Sequence, residues 1–180
     1  MSFYDRFAED EQALLRRRAE RAALSSLDTP EVLASIDTLV VMLGDEPYGL
    51  PLRALTAAYQ ATTPVVPVPC TPPFVAGIAN IRGHVVPVID LAALLGISDT
   101  TPPDFVGIVV ATNDVMTVAF RVSAIGDAIL VKVGELVPVS GLFDLAKREY
   151  LQGALPDGTI VLNMDAILND PALIVNETVG

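Results

Sequence analysis

Pro72-Pro-Phe-Val-Ala-Gly-Ile-Ala-Asn-Ile-Arg-Gly-His-Val-Val-Pro-Val-Ile-Asp-Leu-Ala-Ala-Leu-Leu-Gly96 is the stretch that decides how this chain is read. The two leading prolines stop any preceding strand, because proline has no ladder donor and holds φ near −65°. They predict a helical turn over Phe74–Ala76, ended by Gly77. Ile78 and Ile81 flank Asn80, Arg82 and Gly83 on a strand end and turn. His84–Ile89 reads as a second apolar strand interrupted by Pro87, which belongs at an edge or a bulge. Asp90 is placed to cap a helix over Leu91–Leu95, and Gly96 to close it in the left-handed conformation.

Working outward toward the amino terminus, Leu39–Leu43 and Tyr48–Leu50 read as a hairpin turned by Gly44–Glu46. Leu52–Tyr59 fits a helical turn or a strand, because periodicity does not separate the two at this length. Val65, Val66 and Val68 stand between Pro64, Pro67 and Pro69, the pattern of an extended edge or connector. Glu9–Leu27 contains neither glycine nor proline and predicts a helix, with Arg16, Arg17, Arg18 and Arg21 on a solvated face. Asp28-Thr-Pro30 marks a hinge after it. On the other side, Thr100–Asp104 is a loop, and Phe105–Ala111 with Val115–Val122 predicts a hairpin around Asn113 and Asp114. The first of these strands is apolar on both faces, as in a strand internal to two packed barrels or at an interface. Ile125–Val133 continues as strand and Glu135–Ser140 as connector. Asp144 caps a short helix reaching Tyr150, with Lys147 and Arg148 near its carboxyl end. Gly158–Leu162 is a last strand, and Asn163 or Asp165 starts a brief helix ending near Asn169.

These segments are short, number about ten, and are punctuated by 14 prolines and 12 glycines in 180 residues. The expected fold is therefore mainly β, two small barrels packed together with short helices between strands. The expected organisation is an amino-terminal helical extension and hinge (1–35), a β domain (36–170) and a carboxy-terminal tail (171–180). No apolar run approaches the roughly 20 residues that span a bilayer, and the first ten residues lack the basic start and apolar core of a signal peptide. A cytoplasmic protein without direct membrane insertion is expected. Cys70 is the one cysteine, which allows no internal disulfide. A formal charge of −11 repels nucleic acid and excludes it as a partner.

Catalytic and metal-binding constellations are missing from the sequence. His84 is the one histidine, so a multi-histidine metal site is excluded, and no nucleophile elbow, Walker loop or dinucleotide fingerprint accompanies it. Its expected role is structural or at the surface. Asp90 and Asp165 read as helix caps before they read as acids. Asn176-Glu-Thr matches a glycosylation sequon by chance in a cytoplasmic chain. No cofactor and no enzymatic activity are expected. Arg82 is a permanent charge in an apolar block; it fits a structural arginine holding a turn, the default on general grounds, or a contact residue on a protein-binding groove.

The run Phe74–Leu91 closely resembles the signature of the CheW family, the adaptors of bacterial chemotaxis arrays, and Leu43–Leu52 is similar to that family's first hairpin. The similarity continues more weakly to about Leu168. The resemblance implies two five-stranded SH3-like barrels and a non-catalytic scaffold in a two-component chemosensory system. Its implied partners are the cytoplasmic tip of a chemoreceptor and the regulatory domain of a CheA-type histidine kinase. It implies receptor contacts at Arg82, Gly83, Leu55 and Ile125, kinase contacts at Phe105, Val106 and Ile108, and a ring-forming contact at Val137, Leu142 and Phe143. For each aliphatic residue among these, core packing is the default role until exposure is known. Two positions depart from the family pattern. Ala57-Ala58 stands where an acidic residue is usual, leaving Arg82 without its customary intramolecular partner, and Ser123 stands where an aspartate is frequent. Two rival readings are a CheW-like module that binds another partner through its amino-terminal helix, and a small-ligand or enzymatic β-barrel with a polar pocket around His84.

Overall fold

The computed structural model describes residues 34–60, 63–97, 107–139 and 145–173. Its central hairpin forms because Asn-Ile-Arg-Gly allows a reversal of two residues. Arg82 (φ 52°) and Gly83 (φ 85°) both occupy the left-handed region, as a primed hairpin turn requires. The Asn80 Oδ1 accepts a bond from the Gly83 N–H at 2.9 Å and holds the reversal. The strands on either side are β4 (Val75–Ile81) and β5 (His84–Asp90). Phe74–Ala76 is not the helical turn expected, since Val75 and Ala76 already belong to β4. Gly77, at φ 145°, marks a bulge between Val75 and Gly77. A Cβ there would lie 2.1 Å from the Val66 carbonyl oxygen. Glycine at this position admits the 63–68 segment, which pairs Val66 with Ile78 through bonds of 2.8 and 2.9 Å. β5 is an internal strand and not an edge, lying between β4 and β7; Pro87 pairs with Ile78 of β4 and stands just before the Val88–Asp90 stretch that pairs with β7.

The ten strands among the described residues divide into two five-stranded sheets. The first contains β1 (Ser35–Leu43), β2 (Glu46–Pro51), β8 (Ala124–Lys132), β9 (Leu151–Ala154) and β10 (Ile160–Leu162), in the order β8-β1-β2-β10-β9. The second contains β3 (Leu55–Gln60), β4, β5, β6 (Gly107–Thr112) and β7 (Thr117–Val122), in the order β3-β6-β7-β5-β4. Each sheet curls until its edges approach. Val137, just beyond edge strand β8, pairs with Ala154 of the opposite edge β9. In the second sheet the β4–β5 tip reaches Tyr59 of the opposite edge β3. Bulges in β3, β4, β8 and β9 supply the bends. The mainly β, two-barrel expectation is what the structure shows.

The second barrel is inserted between β2 and β8 of the first. A short 3-10 helix, Leu52–Ala54, carries the chain across, so the ambiguous Leu52–Tyr59 segment is a turn followed by a strand. Ser123 carries it back. Its N–H donates to the Met42 carbonyl at 2.9 Å, and its hydroxyl oxygen accepts from the Gly44 N–H at 2.9 Å, fastening the returning chain to the β1–β2 turn. Strand β6 is buried along both faces, as its sequence predicts. Ile108 and Val110 fill the second barrel with Ala79, Val86, Val88 and Ala119. Val109 and Ala111 face the larger core shared by both sheets, with Leu43, Leu50, Phe120 and Leu162. Helix α1 (Leu91–Leu95) is capped by Asp90 and closed by Gly96 at φ 73°, as expected. Helix α2 (Met164–Leu168) is capped by Asn163. Leu173 is buried in the shared core. The predicted Glu9–Leu27 helix lies outside the described residues.

Candidate protein-binding surface

The β4–β5 tip carries the signature arginine into solvent. Arg82 and its neighbours Gly83, His84 and Val85 are all exposed, Val85 at 69%. The Arg82 guanidinium carbon sits 5.7 Å from the centre of the Tyr59 ring, within the range of a cation–π contact. Curling of the second sheet creates this meeting, because β3 and β4 are opposite edges. Among the described residues no carboxylate lies within ion-pair distance of Arg82. Tyr59 stands two residues beyond Ala57 on β3, so an aromatic face occupies the neighbourhood where an acidic partner was expected. Sequence reasoning did not single out Tyr59, and no local signal marks it.

The other receptor-contact candidates sit differently. Ile125, on β8, packs on Gly107, where an added Cβ would meet its side chain at 2.7 Å. Gly107 pairs with Gln60, so Ile125 lies where the two sheets meet, near the Tyr59 end of β3. Leu55 is at the other end of that strand, about 13 Å away at the rise of an extended chain, half-buried against the shared core. Arg82 thus meets Tyr59 on the second barrel, whereas Ile125 and Leu55 both pack against the shared core.

Of the kinase-contact candidates, Ile108 is fully buried inside the second barrel. This is a correction. Strand alternation turns Ile108 inward, and it packs the barrel without presenting surface to a partner. Phe105 and Val106 lie outside the described residues, as do Leu142 and Phe143. Val137, the remaining ring-contact candidate, is 54% exposed while its backbone pairs with Ala154 at 2.9 Å in both directions.

No grouping of three or more His, Cys, Asp or Glu suited to a metal ion occurs among the described residues. An open cleft of about 450 Å³ is lined by Arg53, Gln152, Asn163, Asp165, Ala166 and Asn169. Its charges already pair, Arg53 Nη2 lying 2.6 Å from Asp165 Oδ2, and both side chains are mostly solvated. His84 does not line it.

Comparison with known proteins matches this geometry. The CheW-like domain profile matches residues 37–172. The chain is 27% identical over 119 residues to the chemotaxis protein CheW of Rhizobium meliloti (strain 1021), spanning 66% of this chain and 76% of that one. It is 32% identical over 130 residues to the chemotaxis protein CheW of Helicobacter pylori, spanning 70% and 74% respectively. In fold it superposes on the scaffolding protein TtCheW from Thermoanaerobacter tengcongensis with a TM-score of 0.62 at 23% identity, covering 71% of this chain and 88% of the other. A match across most of the described residues, on a pair of five-stranded sheets with the signature hairpin at their rim, makes this chain a member of the CheW-like domain family.

Proposed function

We propose that this chain is a non-catalytic scaffold of a bacterial chemosensory array, joining the cytoplasmic tip of a chemoreceptor to a CheA-type histidine kinase. Support comes from relatives named as chemotaxis proteins and a fold relative titled a scaffolding protein. The observation that carries the reading is the rim hairpin, where an exposed cation that meets no carboxylate among the described residues stands beside exposed apolar surface. Such a surface provides affinity by burying aliphatic area and register by a single charge.

Arg82, Gly83 and Ile125 form the receptor-facing patch in this reading, with Leu55 at a more distant margin. Phe105 and Val106 remain the proposed kinase contacts, and Val137 with Leu142 and Phe143 the ring contact. The mechanism is positional. Holding receptor and kinase together raises their effective concentration, and any difference in how two receptor states engage the scaffold is passed to the kinase as a coupling free energy. The work is done in the cytoplasm at the membrane-proximal array. No helix among the described residues is long and apolar enough to cross a membrane, so attachment runs through the partners.

Calorimetric titration with a receptor cytoplasmic-tip fragment and, separately, with the kinase regulatory domain of the same organism tests the proposal. Both are expected to bind the wild type, and Arg82→Glu is expected to weaken the receptor fragment while leaving circular dichroism unchanged. Failure of both cognate fragments to bind the folded wild type overturns the array role.

A further inference from the structure

Stacking on a ring occupies the flat face of a guanidinium and leaves its N–H edges open. The Arg82 guanidinium carbon lies over the Tyr59 ring, 5.7 Å from its centre, on a turn whose two residues are fixed in the left-handed region and locked by the Asn80 bond to Gly83. Its donors are thus presented from a preorganised position, while among the described residues no carboxylate answers them. The other arginine of this barrel, Arg121, is by contrast paired with Asp90 at 2.6 Å.

The charge of the chain sharpens the point. At −11 overall the molecule repels acidic surfaces in general, so an unanswered cation selects the place where an acidic side chain is able to land. Val85, 69% exposed on the strand that leaves the turn, supplies apolar area close by. We propose that Arg82, positioned by Tyr59, is a carboxylate receptor: the partner that docks on this rim contributes an aspartate or glutamate at the contact, next to aliphatic side chains. This rests on the scaffold reading, with the receptor tip as that partner. It assigns Tyr59 as the positioning residue and makes the acidic group the partner's own.

The test is a charge swap. A receptor cytoplasmic-tip fragment is titrated with the wild type, Arg82→Glu, Tyr59→Phe and Tyr59→Leu, each checked for an unchanged melting temperature. The acidic residues of the fragment are changed to lysine one at a time. Arg82→Glu is expected to weaken binding about tenfold or more, one lysine variant of the fragment to do the same to the wild type, and that pair of variants together to recover most of the affinity. Tyr59→Phe keeps the ring and is expected to bind like wild type, whereas Tyr59→Leu is expected to lose about threefold. If the wild type binds the fragment but no lysine variant is rescued by Arg82→Glu, this inference falls and the scaffold reading stands. If the folded wild type does not bind the fragment at all, the receptor-facing reading falls and takes the inference with it.

Discussion

Asp90 and Arg121 face each other across the parallel β5–β7 pair. One carboxylate oxygen of Asp90 accepts from the arginine Nε and Nη2 at 2.9 and 2.6 Å, while the other accepts from the Ala93 N–H at 3.0 Å and caps α1. One side chain therefore joins strand order to helix start. Asp90→Asn retains the capping oxygen and loses the charge, at an expected cost of about 1–2 kcal/mol. Asp90→Ala also loses the cap, and about 1 kcal/mol more. Urea unfolding midpoints separate the two. Equal costs for both variants would show that the cap contributes nothing.

Two tyrosines set an alkaline limit on stability. Burial, and then the hydrogen bond the Tyr48 hydroxyl donates to Glu46 and the Glu46 charge, push the Tyr48 phenol well above its ordinary value. Burial, then the bond from Tyr150 to Asp170 and the charge of Glu149, do the same to Tyr150. The folded state thus keeps both phenols neutral where the unfolded chain ionises them. Their contribution is intact below about pH 10 and declines as pH rises above it, by up to roughly 1.4 kcal/mol per pH unit for each tyrosine. Stability measured from pH 8 to 11 is expected to be steeper at the alkaline end for the wild type than for Tyr48→Phe with Tyr150→Phe. Identical slopes would assign the alkaline loss to other groups.

Glycines 77 and 83 share a positive φ but differ in what surrounds them. Alanine at 77 forces a Cβ into the Val66 carbonyl, so Gly77→Ala is expected to cost about 3 kcal/mol or more by breaking the Val66–Ile78 pairing. Alanine at 83 meets nothing within 4 Å and pays conformational strain alone, about 1 kcal/mol. Thermal melts of the two variants give the ranking, and a reversed order would refute the close approach of the 63–68 segment.

Asn113 ties the β6–β7 turn to the end of α2. Its oxygen accepts from the Val115 and Met116 N–H groups at 2.9 and 2.8 Å, and its amide nitrogen donates to the Leu168 carbonyl at 3.1 Å and the Asn169 Oδ1 at 3.2 Å. Asn113→Asp keeps the acceptor and turns the donor end into an oxygen facing a helix carboxyl terminus. It is expected to lose about 1–2 kcal/mol and to recover part of that once acidification protonates the new carboxyl. A loss that does not depend on pH would argue against this contact.

What the sequence discloses follows from how local each cause is. The Asp90 cap, the Gly96 closure and the Asn163 cap are readable because donor and acceptor lie within one helical turn. The double burial of β6 is readable because five consecutive apolar residues leave no solvated face. Gly77 misleads. A positive φ suits a helix end and a strand bulge equally, and only the arrival of Val66 from outside the segment selects the bulge. Strand β9, Leu-Gln-Gly-Ala, carries no β-branched residue and is defined by its neighbours β10 and Val137. Among site candidates, exposure is the hidden quantity. Val137 and Ile108 look alike as aliphatic residues, yet one is half in solvent and the other sealed in a barrel. The Arg82–Tyr59 contact depends on closure of the second barrel, which no local pattern encodes.

Inserting one barrel within the other also fixes an order of assembly. Strand β1 emerges from the ribosome early, but its neighbour β8 is made only after all of β3 to β7, and the Gly44–Ser123 bond spans 79 positions. During synthesis the inserted barrel is complete in sequence while the outer one still lacks three of its five strands. Closing such a long loop is slow, so the first hairpin waits with its apolar side uncovered. Nascent chains halted before β8 are the species in which misassociation should concentrate, and the inner barrel is the part of this protein that has its full complement of strands first.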